Sequence, residues 1–517
     1  MGNFAEQLQE TNNKAKTLTE NGAVAYETSG KHILDFSFKL SQYRGMSETE
    51  IKNDFAKVYF EDPLIATKFA FYIGDVRGGL GERKVFRACI DWLADNQPNI
   101  AVAILGAIPE YTRWDNLIRL INNRNIGDIV LSAVCEQFNY DVINMMQGNP
   151  ISLLGKWMPS INASSKETVA LAYTICKKTN TTPKNYRQTL SALRRYLDVV
   201  EVKMSAGEWS EIDYSKVPSL ANLKYNEAFY KRDTERREEY LNSLKKGETK
   251  INASVTQPHE VVREYRGGYG GWNVSCKEYD ETLEQIWKAL PNVCVEDTLV
   301  IRDGSGSMTC PIGSGGKTTC LDVATALAIY CSEHNSKEWT NKFVTFSNRP
   351  KFVDLSGCKT LRDKIVRCYA EDDVANTDIE ATMRLILQTA IDNECKQEDM
   401  PKNILIISDM QFDGSSNNRW RGFNWNETLF EQIAEEYAEF GYQIPRIIFW
   451  NVAARDSNTV PMQENKLGLV LCSGFSITLL NMVMSGEINP YNALLEQVNS
   501  ERYDIIESIV AECLKTE

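Results

Sequence analysis

Histidine is scarce in this sequence, and its cysteines are never closely paired. The 517 residues contain only three histidines, His32, His259 and His334, and 13 cysteines without a Cys-x-x-Cys spacing. Zinc sites of ordinary spacing need such pairs, so this class of site is excluded. An odd number of scattered cysteines also argues against a disulfide framework, and we therefore expect a reducing, cytoplasmic compartment.

Neither a signal peptide nor a membrane span is expected from the sequence. Its first residues, MGNFAEQLQE, are polar and acidic, which is the wrong composition for a signal peptide. An uncharged run at 467–486 is interrupted by Cys-Ser-Gly and by further polar residues. We predict a buried strand, a turn and a short helix there rather than a spanning helix. Neither a membrane nor DNA is an expected partner.

The sequence has no excess of basic residues, because its net charge is −13. Residues 1–290 contain 37 basic and 37 acidic side chains, whereas residues 291–517 contain 20 basic and 33 acidic ones. The negative excess therefore lies in the C-terminal half, as expected if that half binds a cation. Within the otherwise neutral N-terminal half, residues 151–200 are basic, with eight Lys or Arg and two acidic residues.

A polar, glycine-rich stretch, TLVIRDGSGSMTCPIGSGGKTTCLDVATAL at 298–327, is typical of either a phosphate-binding loop or a metal site. A P-loop requires G-x-x-x-x-G-K-[ST]. Gly316-Lys317-Thr318 fits the last three positions, but Pro311 stands at the first glycine and has no N–H to donate. The loop after Asp303 is also too long. We therefore disfavour nucleotide binding and expect Lys317 to be exposed to solvent.

The same stretch supplies oxygen ligands in an alternating pattern. Asp303, Ser305 and Ser307 form D-x-S-x-S directly after the apolar run TLVI, and Asp409 ends a second apolar run, NILIIS. Thr377 begins an amphipathic helix between the two runs. Hard divalent cations prefer oxygen ligands, and Mg²⁺ keeps several waters beside a few protein groups. The sequence therefore predicts a site for a divalent cation, most simply Mg²⁺, at these five residues.

Apolar runs alternate with helical patterns throughout the C-terminal half. Strands are predicted at 342–347, 403–408, 446–452 and 467–474, and helices at 318–335, 378–393 and 426–441. This rhythm favours an α/β domain with a parallel sheet that binds ligands at the carboxyl ends of its strands.

The N-terminal half shows helical periodicity and almost no strand pattern. Successive helices of this length favour a HEAT-like α-solenoid. The glycine-rich REYRGGYGGWN at 263–273 is typical of a hinge, and a helix is predicted at 277–290. We therefore expect three segments, namely a helical-repeat domain at 1–265, a linker and connecting helix at 266–294, and an α/β domain at 295–517. Helices are predicted in the first segment at 47–60, 64–73, 82–95, 115–123, 165–178, 186–205 and 226–246.

Basic residues are interleaved with glycines or aromatic residues in three stretches of this half: 74–87, 153–164 and 184–204. One interpretation is a solvated helix face with ion pairs between helices. The other is an RNA surface, on which basic side chains neutralise phosphates and aromatic rings stack on bases. The candidate RNA-binding residues are Arg77, Arg83, Lys84, Lys156, Arg187, Arg194 and Arg195.

The stretch GDVRGGLGERKVFR at 74–87 resembles the R-G-G-x-G-E-R segment of TROVE modules, the ring of helical repeats in Ro autoantigen proteins. In those proteins a von Willebrand factor A domain follows the ring. Its metal-ion-dependent adhesion site is similar to the set of Asp303, Ser305, Ser307, Thr377 and Asp409. Stretches such as KWMPS, YRQTLSALRRYLDVVE and INASVTQPHEVV resemble a family of uncharacterised TROVE-like proteins.

This resemblance implies a non-catalytic scaffold that binds small noncoding or structured RNA through a helical ring. It further implies a metal site that takes an acidic side chain of a protein ligand. The alternative is a metal-dependent protein–protein adaptor in a viral or host-defence assembly without RNA. Pairing of the candidate arginines with Glu82, Asp198 or Glu201 would favour the adaptor. Metal-dependent hydrolysis is disfavoured, because serine and threonine ligands without a nearby histidine offer no evident general base.

Overall fold

The computed structural model of the chain describes ten segments of the sequence. They are residues 16–18, 24–26, 28–270, 273–312, 316–346, 350–371, 379–409, 429–452, 469–484 and 489–516.

The chain forms two compact units, and neither is a continuous stretch of sequence. The first, here called the sheet unit, contains residues 1–61 and 253–500. The second, the helical unit, contains residues 62–252 and 501–517. This division differs from the three successive segments expected from the sequence.

The helical unit has no strand in residues 62–252 and 501–516. Its helices are α3 (Pro63–Gly74), α4 (Arg83–Asn96), α5 (Pro98–Ala103), α6 (Ala107–Tyr111), α7 (Trp114–Ile118), α8 (Gly127–Gln147), α9 (Leu154–Trp157), α10 (Lys166–Lys178), α11 (Pro183–Tyr196), α12 (Val200–Ala206), α13 (Ser219–Arg232), α14 (Thr234–Lys245) and α23 (Asp504–Thr516).

Local sequence signals explain where several of these helices begin. The Asp62 carboxylate accepts from the Ile65 N–H at 2.9 Å, and Pro63 occupies the first helical position of α3. Thr182 and Pro183 repeat this arrangement at α11. A capping oxygen satisfies an N–H that has no partner within the helix, and proline there loses no hydrogen bond.

Two helices predicted as continuous are divided by aspartates. The predicted helix at 186–205 ends at Tyr196, because Asp198 takes a positive φ of 54° and the Val199 N–H turns back to the Arg194 carbonyl at 3.2 Å. This is the hydrogen bond of a Schellman ending, in which a left-handed residue terminates the helix. The predicted helix at 226–246 is likewise two helices that meet at Asp233.

A six-stranded sheet forms the centre of the sheet unit. Its strands are β5 (Thr298–Asp303), β6 (Lys342–Phe346), β7 (Phe352–Asp354), β8 (Asn403–Ser408), β9 (Arg446–Asn451) and β10 (Leu469–Ser473). They lie in the order β10-β9-β8-β5-β6-β7, and all neighbours are parallel except the edge pair β6–β7. The structure confirms the four parallel strands expected after β5, whereas the short β7 had not been predicted.

The sheet is buried on both faces, as its apolar runs predict. Every residue of β5 is buried, and so is every residue of β8 and β9 after the first. The chain runs from β5 to β6 and β7 on one side of β5, and it then crosses to β8 on the other side. The strand order therefore reverses between β5 and β8, and ligands of such sheets bind where this reversal occurs.

Helices and two hairpins complete the sheet unit. Its helices are α1 (His32–Phe38), α2 (Glu48–Glu61), α15 (Pro258–Tyr265), α16 (Glu281–Lys288), α17 (Cys320–Glu333), α18 (Leu361–Ala370), α19 (Ile379–Asp392), α20 (Leu429–Glu439), α21 (Leu479–Val483) and α22 (Pro490–Val498). The hairpins pair β1 (Lys16–Leu18) with β2 (Val24–Tyr26) and β3 (Arg266–Gly270) with β4 (Asn273–Cys276). The second hairpin and α16 lie within the segment predicted as linker and connecting helix.

The first part of the chain packs against the last strand of the sheet. The backbone N–H of Ser41 donates to Ser473 Oγ at 3.0 Å, and the two hydroxyl oxygens lie 2.8 Å apart. Both serines are buried. Because buried hydroxyls need such partners, this contact ties residues 28–61 to the sheet.

The uncharged run at 467–486 contains β10 and the five-residue helix α21. Among the helices in the described segments, none combines the length and apolar character needed to cross a membrane.

Candidate functional site

The loop after β5 brings two serines to the end of the strand. Asp303 is the last residue of β5 and is fully buried. Its Oδ1 accepts from the Ser305 N–H at 2.9 Å, which folds the loop back over the strand end. Ser307 lies in the 3₁₀ turn Gly306–Thr309, and its Oγ is 2.9 Å from Ser305 Oγ. The two hydroxyl oxygens therefore converge beside the carboxylate.

The end of β8 completes this arrangement from the neighbouring strand. The Ser408 hydroxyl donates to Asp303 Oδ2 at 2.6 Å, and Asp409 follows at once with only 2% exposure. Ser408 is not among the ligands predicted from the sequence. It could have been predicted as a member of the site, because it is the last residue of an apolar strand and directly precedes the predicted ligand Asp409.

Two carboxylates are thus buried at the point where the strand order reverses. Burial, and after it the charge of Asp409, raises the pKa of Asp303 to about 7. Hydrogen bonds from Ser408 and Ser305 oppose this shift. Like charges destabilise each other at low dielectric constant, so a cation between them would stabilise both ionised forms.

Four of the five predicted metal ligands therefore belong to this one edge of the sheet, and Thr377 lies outside the described residues. Within the described segments, no group of three or more His, Cys, Asp or Glu is placed to hold a metal ion. A cation at this edge would therefore need the serine hydroxyls as well as the two carboxylates.

The second half of the glycine-rich stretch has a structural explanation. Thr319 caps α17, with its side chain accepting from the Asp322 N–H, while Asp322 accepts from the Thr319 N–H at 2.8 Å. The buried Asp322 carboxylate also lies 2.9 Å from Arg266 Nε. Lys317 is exposed, as expected. The described residues 316–322 therefore build the start of a helix.

In the helical unit, Arg194 is a structural residue. Its guanidinium donates to the carbonyls of Gly155 and Met158 and to Ser160 Oγ at 2.8–3.0 Å. Burial lowers its pKa, while Tyr186 opposes the shift. Arg194 therefore binds α11 to the segment around α9.

Arg83 belongs to a cluster that includes an arginine not predicted from the sequence. Arg113 lies over the Trp157 ring at 4.2 Å, and Lys156 lies over the same ring at 5.8 Å. Arg83 is more than a third exposed, yet partial burial and then the charge of Arg113 lower its pKa. Asp115 neutralises only part of this cluster, through two hydrogen bonds from Arg113 and one from Arg87.

The R-G-G-x-G-E-R stretch supports the fold of the helical unit. A Cβ on Gly79 would lie 2.0 Å from the Tyr72 carbonyl oxygen, and one on Gly78 would meet the side chain of Arg502 at 2.6 Å. Gly81 has a φ of +67°. Arg77 is exposed and donates to the Glu110 carbonyl at 2.9 Å. The glycines are therefore required by close packing and by a left-handed turn.

The remaining basic candidates lie on helix surfaces. Arg187 is exposed on α11, and Arg195 is exposed and lies 3.5 Å from Glu208 Oε1. Lys84 is half-buried in the first turn of α4. Lys156 thus lies over the Trp157 ring and Arg83 lies near Arg113, whereas no such contact is seen for Arg187 or Arg195 within the described residues.

Two family models match this chain. The model of Domain of unknown function (DUF2828) matches residues 19–113 and 130–293. That of Domain of unknown function (DUF7788) matches residues 297–509, which include the candidate site.

The chain is also similar to a viral protein, the "Uncharacterized protein L728" of Acanthamoeba polyphaga mimivirus. The two are 29% identical over 541 aligned positions, which cover 95% of this chain and 90% of the viral one. A crystal structure of the Deinococcus radiodurans RO (RSR) protein aligns with 90% of this chain and 94% of its own, at 12% identity and a TM-score of 0.32. Because the DUF2828 model matches just over half of the residues, the chain belongs to the DUF2828 family.

Proposed function

We propose that this protein is a non-catalytic scaffold whose sheet unit binds a divalent cation and, through it, an acidic ligand. The observation that carries the proposal is the burial of Asp303 and Asp409 at the carboxyl ends of adjacent parallel strands, with the hydroxyls of Ser305 and Ser307 beside them. Burying two carboxylates together is costly unless a positive charge compensates them.

The topology supports assigning the sheet unit to the von Willebrand factor A type. Strand order β7-β6-β5-β8-β9-β10, with only the edge strand β7 antiparallel, is that of a doubly wound sheet. The D-x-S-x-S loop follows the first central strand, and Asp409 follows the next one across the reversal. Both positions agree with the resemblance found in the sequence.

The donor set favours Mg²⁺. Hydroxyl and carboxylate oxygens are hard ligands, and a set of few protein groups leaves coordination positions for water. A carboxylate of a partner protein is the ligand class that such a position would accept. In this proposal Asp303 and Asp409 supply charge, whereas Ser305, Ser307 and Thr377 supply neutral oxygens.

Thermal unfolding with and without Mg²⁺ tests the cation site. Mg²⁺ should raise the Tm of the parent protein, because a ligand bound only by the folded state stabilises it by about 2.7 kcal/mol at 100 times its Kd. The Asp303→Asn variant should lose this increment. Asp354→Asn, which changes an exposed carboxylate on β7 of the same unit, should retain it. No Mg²⁺-dependent shift in the parent, or an equal shift in Asp303→Asn, would contradict the proposal.

We further propose that the helical unit, which we continue to interpret as a HEAT-like α-solenoid, binds small structured RNA. The observation that favours this partner is the pair of Arg113 and Lys156 over the half-buried Trp157 ring, with the exposed Arg83 close enough for the charge of Arg113 to lower its pKa. Basic side chains neutralise phosphates, and an indole ring offers a surface for stacking of an unpaired base.

RNA that copurifies with the protein tests this second part. We would purify the parent and an Arg83→Glu/Lys156→Glu variant from the native host and sequence the bound nucleic acid. A Lys246→Glu control reverses an exposed charge at the end of α14. Small RNA that is retained by the parent and the control but lost from the double variant would support the proposal.

Absence of RNA from the parent would instead favour the protein–protein adaptor. The ion pairs that would point to the adaptor are not present among the described residues. Arg195 pairs with Glu208, and Arg194 donates to carbonyls and a serine. Neither contacts Glu82, Asp198 or Glu201 through an ion pair.

A further inference from the structure

Two cysteines face each other across the base of the loop that follows the candidate cation site. The Cys320 N–H donates to the Cys310 carbonyl at 3.3 Å, and the Ile312 N–H donates to the Thr318 carbonyl at 2.8 Å. Pro311 and Thr319 form an antiparallel bridge between these two bonds. Cys310 and Cys320 are therefore directly opposed in a short antiparallel ladder.

This pairing brings the main chains of the two cysteines close together. The hydrogen bond from the Cys320 N–H to the Cys310 carbonyl, next to the bridge between Pro311 and Thr319, holds the two main chains against each other at this point. Disulfides span Cα distances of about 4.4–6.8 Å. Backbone proximity therefore permits a disulfide, and its formation requires Cys320 Sγ to turn away from the Val452 carbonyl oxygen.

The environments of the two thiols differ in a way that suits stepwise oxidation. Cys310 is half-buried, so a small molecule in solvent can reach it. Cys320 is buried at the first position of α17, where its Sγ lies 3.1 Å from the Val452 carbonyl oxygen. By contrast, Cys331 and Cys472 are both fully enclosed, and burial raises the pKa of each thiol.

We propose that Cys310 and Cys320 form a reversible disulfide by exchange with a low-molecular-weight disulfide such as oxidised glutathione. The Cys310 thiolate attacks one sulfur of the small disulfide, which releases one glutathione thiolate and leaves a mixed disulfide on Cys310. The Cys320 thiolate then attacks the Cys310 sulfur and releases the second glutathione. The protein loses two electrons and two protons overall, and the small disulfide is reduced to two thiols.

The position of this pair connects it to the candidate cation site. The Cys310 N–H donates to the Ser307 carbonyl at 3.2 Å, so it closes the turn that carries the Ser307 hydroxyl. A disulfide would fix this turn to the first residue of α17. We expect oxidation to change the affinity for the cation, and this second step rests on the proposed function of the sheet unit.

Peptide mass spectrometry under non-reducing conditions tests the disulfide itself. The native protein would be equilibrated with mixtures of oxidised and reduced glutathione, and free thiols would be blocked before digestion. A Cys310–Cys320 cross-link that forms with the oxidised mixture and disappears with the reduced one is expected. Cys310→Ser should abolish it, Cys320→Ser should trap glutathione on Cys310, and Cys294→Ser, which removes an exposed cysteine, should leave it intact. Cross-links only at other cysteines, or none, would overturn the proposal.

The shift in Tm caused by Mg²⁺, measured for the oxidised and reduced protein, separates this inference from the proposed function. A shift that differs between the two forms, and does not differ in Cys310→Ser, supports the coupling. Equal shifts would refute the coupling while the disulfide stands. No shift in either form would refute the cation site, whereas the mass spectrum would still decide the disulfide.

Discussion

Arg502 donates from Nη2 to Asp75 Oδ1 at 2.9 Å, although 427 residues separate the two in the chain. The Asp75 carboxylate is fully buried in the helical unit, and the Tyr503 hydroxyl also donates to it at 3.1 Å. The backbone N–H of Arg77 supplies a further hydrogen bond at 2.9 Å. The segment that leads into α23 is therefore hydrogen-bonded to the start of the glycine-rich stretch after α3.

Removal of Arg502 should destabilise the helical unit. Arg502→Ala leaves a buried carboxylate without its cationic partner, a change that costs about 3–5 kcal/mol for fully buried pairs. Because the Arg502 side chain is 37% exposed, we expect roughly 2–3 kcal/mol in urea unfolding. Arg195→Ala, which breaks an exposed pair with Glu208, should change the free energy of unfolding by less than about 1 kcal/mol. Similar losses for both variants would contradict this interpretation.

Glycine is required at position 79. In Gly79→Ala the new Cβ would lie 2.0 Å from the Tyr72 carbonyl oxygen, so the backbone would have to move. We expect a loss of roughly 2–3 kcal/mol or more, typical of overpacking. Gly106→Ala is the matched control, because its Cβ would meet nothing within 4 Å and its φ is −63°. Circular-dichroism melting should show a large decrease in Tm for the first variant only.

Arg194 and Arg187 lie on the same helix and should respond differently to charge reversal. Arg194→Glu loses three hydrogen bonds and places a carboxylate beside two carbonyl oxygens, so it should destabilise the helical unit by about 3 kcal/mol or more. Arg187→Glu changes an exposed side chain and should be nearly neutral. Equal Tm values for the two variants would show that Arg194 is not structural. RNA-binding tests should therefore leave Arg194 unchanged.

His259 should make the sheet unit sensitive to acid. Burial lowers its pKa to about 3, and the charges of Arg44 and Arg263 act in the same direction. An unfolded chain protonates this histidine near pH 6.5, whereas the folded protein resists protonation until about pH 3. The contribution to stability is therefore complete above pH 6.5 and is lost as the pH falls, at about 1.4 kcal/mol per pH unit.

Urea unfolding at pH 7.0 and pH 5.5 measures this effect. The parent protein should lose about 1–1.5 kcal/mol more than His259→Phe over this interval, because phenylalanine cannot take up the proton. Subtracting the change in unfolding free energy of His259→Phe from that of the parent removes the contributions of all titrating groups that the two proteins have in common. His32→Gln, which changes an exposed histidine, should follow the parent. Parallel curves for the parent and His259→Phe would refute the assignment.

The central strands were predictable because burial on both faces leaves continuous apolar runs. The strand predicted at 403–408 coincides with β8, and the strand predicted at 446–452 extends one residue beyond β9. The edge strand β7 was not predicted, since only Val353 of its three residues is buried. The division of the helix predicted at 186–205 depends on the positive φ of Asp198, which a periodic pattern does not reveal.

The candidate cation site was largely predictable for a topological reason. Asp303 and Asp409 end apolar runs, and the ends of parallel strands meet at one edge of a sheet. The contact of Ser408 with Asp303 and that of Arg113 with Trp157 were not predicted, because each depends on tertiary packing between distant segments. Both Arg187 and Arg194 were predicted from the sequence to bind RNA, although Arg194 instead forms a hydrogen-bond network that anchors its helix.

The interleaved composition of the two units has a consequence for synthesis on the ribosome. The helical unit includes residues beyond 500, and the sheet unit needs both Ser41 and Ser473. Neither unit can therefore complete its native contacts until distant downstream segments have been synthesised, namely Ser473 for the sheet unit and residues beyond 500 for the helical unit. Until then, apolar surface of early helices such as α3 lacks its native partners in α23, and transiently exposed apolar surface of this kind is what chaperones protect on nascent chains.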